Sequence, residues 1–269
     1  MNVLIPHSFG CYTLRAMKVI SISLFALAAI TAPINSQQPV APKTATTTAA
    51  TAKKPVPPTA APISRALLNP ALLKAKAPAD LKVRFVTTKG PFVVEVHRDW
   101  SPLGADRFYN LVKNGFFNNG HFFRVVPDFV VQFGLSPSPA VNKVWQDASI
   151  QDDPVTQSNH KGSVTFASRG PNTRTTQLFI NLGENARLDG MGFSPFGTVI
   201  DGMDVVEKLY PGYGQTPDQG RIQAEGKPYL DKEFPLLDSV KIARIVVPPP
   251  VAKPAATAKP AVTAPAAKK

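Results

Sequence analysis

Val83, Phe85 and Thr87 alternate with charged or polar residues, and Phe92, Val94 and Val96 alternate again after Lys89-Gly90. Two runs of period two around a glycine turn predict a β-hairpin with one buried face. The period then lengthens. Ser101-Pro102 reads as a helix start, with Ser101 as N-cap and Pro102 in the first helical position. Ala105, Phe108, Leu111 and Val112 follow at helical spacing until Asn114-Gly115 ends the pattern. The stretch from His121 to Gly134 is strand-like, and the Pro-, Asn- and Asp-rich passage from Ser136 to Gln157 reads as loop. Short strand-like runs lie at Ser163–Ala167, Gln177–Asn181 and Phe196–Val199. A second helix is predicted over Met203–Leu209 and a last strand over Asp238–Val247. Many short strands with only two helices predict a mainly β fold, a closed or nearly closed barrel with helices at its ends.

One stretch departs from simple alternation. Phe122 to Gln132, reading FFRVVPDFVVQ, places Arg124, a Pro127-Asp128 break, Phe129 and the neutral amide of Gln132 within an otherwise apolar run. A guanidinium in a buried strand must be paired or directed at something to be polarised. This marks the run as the wall of a site.

Composition divides the chain. Of 28 prolines in 269 residues, sixteen lie before residue 79 or after residue 247. The formal net charge of +12 also comes entirely from these flanks, because residues 79–247 carry 18 basic and 18 acidic side chains. A basic pI invites a nucleic-acid reading, but the neutral centre offers no basic stripe for a phosphate backbone, so no nucleic-acid partner is expected. Arg15 and Lys18 precede an apolar run from Val19 to Ala32, the pattern of an export signal, with an uncleaved anchor as the alternative. Residues 1–36 are read as a signal peptide, with Met17 as an alternative start. Residues 37–79 are read as a disordered Ala/Thr/Pro/Lys linker, 80–247 as the folded domain and 248–269 as a second disordered tail. A helical turn over Ala66–Leu73 is the one local exception considered. A periplasmic or secreted protein is expected, with weak attraction of its basic flanks to an acidic envelope surface. Cys11 is the only cysteine and precedes the apolar run, so the mature chain offers no disulfide or thiolate chemistry. His97, His121 and His160 lack metal-ligand spacing, and no nucleophile elbow or phosphate loop is present.

Three ordered segments carry a family resemblance: FFRVVPDFVVQ, the run GSVTFASRGPNTRTTQLFIN from Gly162 to Asn181, and LDGMGFSPFGTVIDGMDVVEKL from Leu188 to Leu209. They resemble the cyclophilin-type peptidyl-prolyl cis-trans isomerases over about residues 80–247. The resemblance implies a closed eight-stranded antiparallel β-barrel capped by two α-helices, acting as a monomer on proline-containing unfolded or extended polypeptides without cofactor or metal. It places the catalytic arginine on Arg124, supported by Gln132. It implies substrate contacts at Phe129, Val130, Ala167, Ser168, Gln177, Phe179 and Leu188. The sequence departs from the family pattern at several points. Arg187 stands where many eukaryotic members have tryptophan, and Ser168-Arg169 where Asn and Ala are frequent. Phe133 occupies a common glycine position. A histidine is missing from the turn Met191-Gly192-Phe193, where Phe193 is expected to supply part of the pocket wall. Two functions stay open at this point: an isomerase assisting the folding of exported proteins, and a proline-peptide-binding module with little turnover.

Overall fold

The computed structural model describes residues 64–246, so the signal-peptide reading, residues 37–63 of the linker and the C-terminal tail lie outside the described residues. The predicted hairpin is β1 (Asp80–Thr87) and β2 (Pro91–His97). Alternate residues of β1 are buried, and Phe85 lies opposite Phe92 with their rings stacked at 4.9 Å. The first helix, α1 (Pro102–Lys113), buries Ala105, Phe108, Leu111 and Val112 on this sheet. Its start differs from expectation, because the Ser101 side chain caps no helical N–H. The buried carboxylate of Asp153 takes that role, accepting from the N–H groups of Leu103 (3.0 Å) and Gly104 (2.9 Å) and from Ser101 Oγ.

The run containing Arg124 is two strands, β3 (Arg124–Val126) and β4 (Val130–Phe133). The break falls where Pro127 lacks an N–H and Asp128 turns the chain at φ 59°. Phe133 fills the core, with its ring 5.2 Å from Phe122 and edge-on to Phe85 at 5.8 Å. The remaining strands are β5 (Ser163–Phe166), β6 (Leu178–Asn181), β7 (Pro195–Asp201) and β8 (Val240–Val246).

All pairings are antiparallel, and the order is β3-β4-β6-β5-β7-β2-β1-β8. The result is a curled, open sheet rather than the expected closed barrel. Its end strands β3 and β8 do not pair. The chain ahead of β3 meets the chain ahead of β8 through a single bridge, His121 to Ser239, flanked by Phe122 N–H donating to Asp238 O.

The helix count also differs. Besides α3 (Met203–Glu207), which was expected, the chain forms α2 (Pro139–Trp145) inside the passage read as loop. Two further helices, α4 (Gln219–Glu225) and α5 (Lys227–Glu233), precede the last strand. A proline in the first turn opens both α2 and α5, where its missing N–H costs no helical bond. The segment around α4 and α5 has its own apolar cluster, in which Ile222, Tyr229, Leu230 and Phe234 pack with Phe123 and Leu135 from either side of the β3–β4 arm.

The linker boundary at residue 79 is corrected as well. Residues 65–68 and 70–72 form 3₁₀ turns, and Leu67 is fully buried in the main core with its carbonyl accepting from Trp145 Nε1 (2.8 Å). Ala75 and Ala77 are tied to α1 through Asn110 and Asp106. Burying a whole leucine side chain stabilises by about 1.5–3 kcal/mol, enough to draw this segment onto the fold.

Candidate functional site

Cross-strand register builds the site. Arg124 on β3 is paired with Gln132 on β4, which is paired with Phe179 on β6, which is paired with Thr165 on β5. Directly opposed residues share a face, so these side chains form one row on the outside of the sheet. The alternate residues Val131, Phe133, Leu178 and Ile180 point into the main core. The outer face is covered too, and every residue of β4 and β6 is buried, Gln132 and Asn181 included.

The row is a chain of amides ending in a cation. Arg124 Nη1 donates to Gln132 Oε1 (3.1 Å), and Gln132 Nε2 donates to Gln177 Oε1 (2.8 Å). Arg124 Nε donates to Gln215 Oε1 (3.2 Å), 91 residues further along the chain. Among the described residues no carboxylate pairs with Arg124, so its charge is oriented without being neutralised. Partial burial lowers its pKa from the ordinary guanidinium value, but a guanidinium so placed remains protonated.

Beside the arginine lies an aromatic pocket. Val130, Phe179 and Leu188 are buried together, with Phe129, Ala167 and Phe193 packed against them. Phe179 and Phe193 meet edge to face at 5.7 Å. The expected contribution of Phe193 to the wall is therefore present. Leu188 sits on a 3₁₀ turn (Ala186–Met191) that closes at Gly192, φ 84°.

Two buried asparagines hold this wall. Asn159 Nδ2 donates to Asp189 Oδ1 (2.7 Å) and to Phe193 O (2.8 Å), while Asn185 Nδ2 donates to Phe129 O (2.9 Å). Gly183 lets the Asp128 carbonyl approach, since a Cβ there would lie 2.4 Å from that oxygen. Along the other side of Gln132 runs a polar cleft of ≈ 370 Å³, lined by Gln177, Ala167, Ser168, Arg169 and glutamines of α4. The backbone of Ala167 is fixed there by its N–H donating to Gln177 O (2.9 Å).

All ten residues singled out in the sequence thus come together: Arg124, Gln132 and Gln177 in the polar row, Phe129, Val130, Phe179, Leu188 and Phe193 in the pocket, Ala167 and Ser168 between pocket and cleft. Sequence reasoning missed Gln215, the Asn159 and Asn185 braces, and the cleft wall made by Gln146, Gln219 and Gln223. Only the helical spacing of Gln219 and Gln223 was available as a signal. Arg187 reaches the site as well, its guanidinium 4.7 Å from the Phe129 ring centroid.

A cation oriented beside an aromatic and aliphatic cluster can polarise a group bound against that cluster. Comparison with known proteins identifies the family. The profile described as "Cyclophilin type peptidyl-prolyl cis-trans isomerase/CLD" matches residues 82–227. A peptidyl-prolyl cis-trans isomerase of Acinetobacter baylyi is 32% identical over 148 residues, 53% of this chain and 79% of that protein. One of Arabidopsis thaliana is 33% identical over 131 residues, 48% of this chain and 79% of that protein. A crystal structure of a Cryptosporidium parvum cyclophilin type peptidyl-prolyl cis-trans isomerase, 21% identical, superposes with a TM-score of 0.48 over 63% of this chain and 99% of its own. With the family profile spanning more than half its length, this chain belongs to the cyclophilin-type peptidyl-prolyl cis-trans isomerases.

Proposed function

We propose that the groove catalyses rotation about X-Pro peptide bonds in extended polypeptides, with Arg124 as the catalytic group. The observation that carries this reading is the coupling of a half-buried arginine, with no carboxylate partner among the described residues, to Gln132 beside the Phe129, Phe179 and Leu188 cluster. An X-Pro amide rotates over a barrier of about 18–20 kcal/mol because rotation breaks its conjugation. In the twisted amide the proline nitrogen becomes pyramidal and basic. A fixed guanidinium can then donate to that nitrogen, an interaction weak in either planar form and strong at the top of the barrier. No bond is made or broken, and no proton need leave Arg124.

The pocket grips the pyrrolidine ring while the rest of the amide turns. Gln132 orients the guanidinium without titrating, and the backbone around Ala167 and Ser168 pairs with an extended substrate in strand fashion. The test is Arg124→Ala, measured by NMR exchange spectroscopy on an Ala-Pro peptide. Loss of one preorganised charge lowers kcat/KM about 10²–10³-fold while the folded spectrum is retained. A wild-type rate in that variant sinks the arginine role. Peptide-induced shifts in the wild type without accelerated exchange would instead make this a binding module.

The apolar run from Val19 to Ala32, with Arg15 and Lys18 ahead of it, supports export, so the clients would be exported chains in a bacterial periplasm or beyond. The basic flanks would add weak attraction to an anionic envelope surface. A mature N-terminus beyond residue 32 in the envelope fraction supports this placement; full-length protein confined to the cytoplasm contradicts it.

A further inference from the structure

We infer that the groove selects proline segments carrying acidic side chains near the X-Pro bond, with Arg187 and Arg169 as the specificity-determining residues. The inference rests on the isomerase reading above and names its substrate class. Residues 79–247 are formally neutral, yet the charged side chains that line the cleft or stack on the pocket ring are arginines: Arg169 at the cleft, and Arg124 and Arg187 over Phe129. The guanidiniums of Arg124 and Arg187 lie 5.5 and 4.7 Å from the centroid of one ring, Phe129. Two like charges sharing one aromatic favour entry of an anion.

Three neighbouring carboxylates are held by other partners, while Asp128 stands exposed beside Phe129. Asp189 accepts from Ser158 and Asn159, Asp152 from the Asn172 N–H, and Glu225 from Arg221. Among the described residues Arg169 and Arg187 make no ion pair, and both are exposed. On an extended chain advancing about 3.3 Å per residue, a carboxylate two or three residues from the proline lies about 7–10 Å along the groove from it.

The same charges act against one group of sequences close at hand. The chain's own flanks contain Lys54-Pro55, Lys253-Pro254 and Lys259-Pro260. A cationic groove disfavours these three basic X-Pro sites.

The experiment compares three peptides of equal length around Ala-Pro, carrying Glu, Gln or Lys two residues to either side, in NMR exchange and shift titration at low and high salt. The expected order of kcat/KM is Glu above Gln above Lys. Each matched charge contributes about two- to fivefold, and the spread narrows as salt rises. Arg187→Gln and Arg169→Gln each shrink the Glu-to-Gln ratio, one for charges before the proline and the other for charges after it. Equal rates on the three peptides, or an unchanged ratio in the double variant, overturns the inference. Binding that follows the charge order without accelerated exchange leaves the selectivity standing and removes the isomerase reading.

Discussion

Gln215 gives the sharpest test of how the arginine is aimed. Its Oε1 accepts from Arg124 Nε at 3.2 Å while Gln132 accepts from Nη1 at 3.1 Å, so two neutral amides hold the guanidinium from different edges. Gln215→Ala removes one hold. A hydrogen bond of this kind is worth about 0.5–1.5 kcal/mol, and 1.36 kcal/mol is tenfold in rate, so kcat should fall about 2- to 10-fold. KM should stay within about twofold, because Gln215 lines neither the aromatic pocket nor the polar cleft.

Gln215→Glu keeps the geometry and changes the sign of the argument. Its carboxylate would hold the guanidinium by an exposed ion pair worth about 0.2–1 kcal/mol and draw its charge away from the twisting amide. This variant should also be slow at low salt and recover as ionic strength rises, whereas the alanine variant should not recover. Exchange spectroscopy across a salt series reads the difference. Wild-type kcat in both variants, or a glutamate variant faster than wild type at low salt, refutes the positioning role.

Two predictions concern stability. Asp153→Ala removes the acceptor at the start of α1 and one partner of the buried Arg174, so unfolding free energy should drop by about 3–5 kcal/mol and Tm on the order of 10 °C. A calorimetric Tm within about 2 °C of wild type would reject that account. For His121, burial in the first place and Lys227 in the second push the pKa from 6.5 down to about 4, with Asp231 opposing. The unfolded chain then binds the proton at higher pH than the fold does. Stability is therefore complete above about pH 6.5 and declines toward pH 4 by about 3 kcal/mol, a slope that His121→Asn should flatten in denaturant titrations.

The parts of the fold legible in the sequence are those specified by neighbours in sequence. Val83 to Val96 announce a hairpin by period, and Arg124, Gln132 and Gln177 lie within the segments that carry the family resemblance. What was missed is joined across long separations. Asp153 caps a helix about 50 residues earlier, and Gln215 reaches Arg124 over 91. No local pattern encodes either contact. The helices α2, α4 and α5 escaped notice because seven residues give less than two turns of periodicity, and Gly226 and Pro228 interrupt the run shared by α4 and α5. Closure was overestimated for a related reason. Eight strands suggest a barrel, but Asp238–Ser239 and His121–Phe122 meet at only one bridge before the chains diverge.

That unzipped seam has a consequence if, as proposed, the clients are extended chains. A bare strand edge is a template, and a catalyst surrounded by unfolded polypeptide would risk having its own sheet extended by them. Here the edge carrying Arg124 is occupied: Val125 N–H donates to Gly214 O (3.0 Å), and the α4–α5 cluster packs behind Phe123. The far edge is covered where Val240 exchanges hydrogen bonds with Asn119 and Gly120. Under the proposed function, visiting chains would then meet the backbone beside Ala167 rather than a bare strand edge.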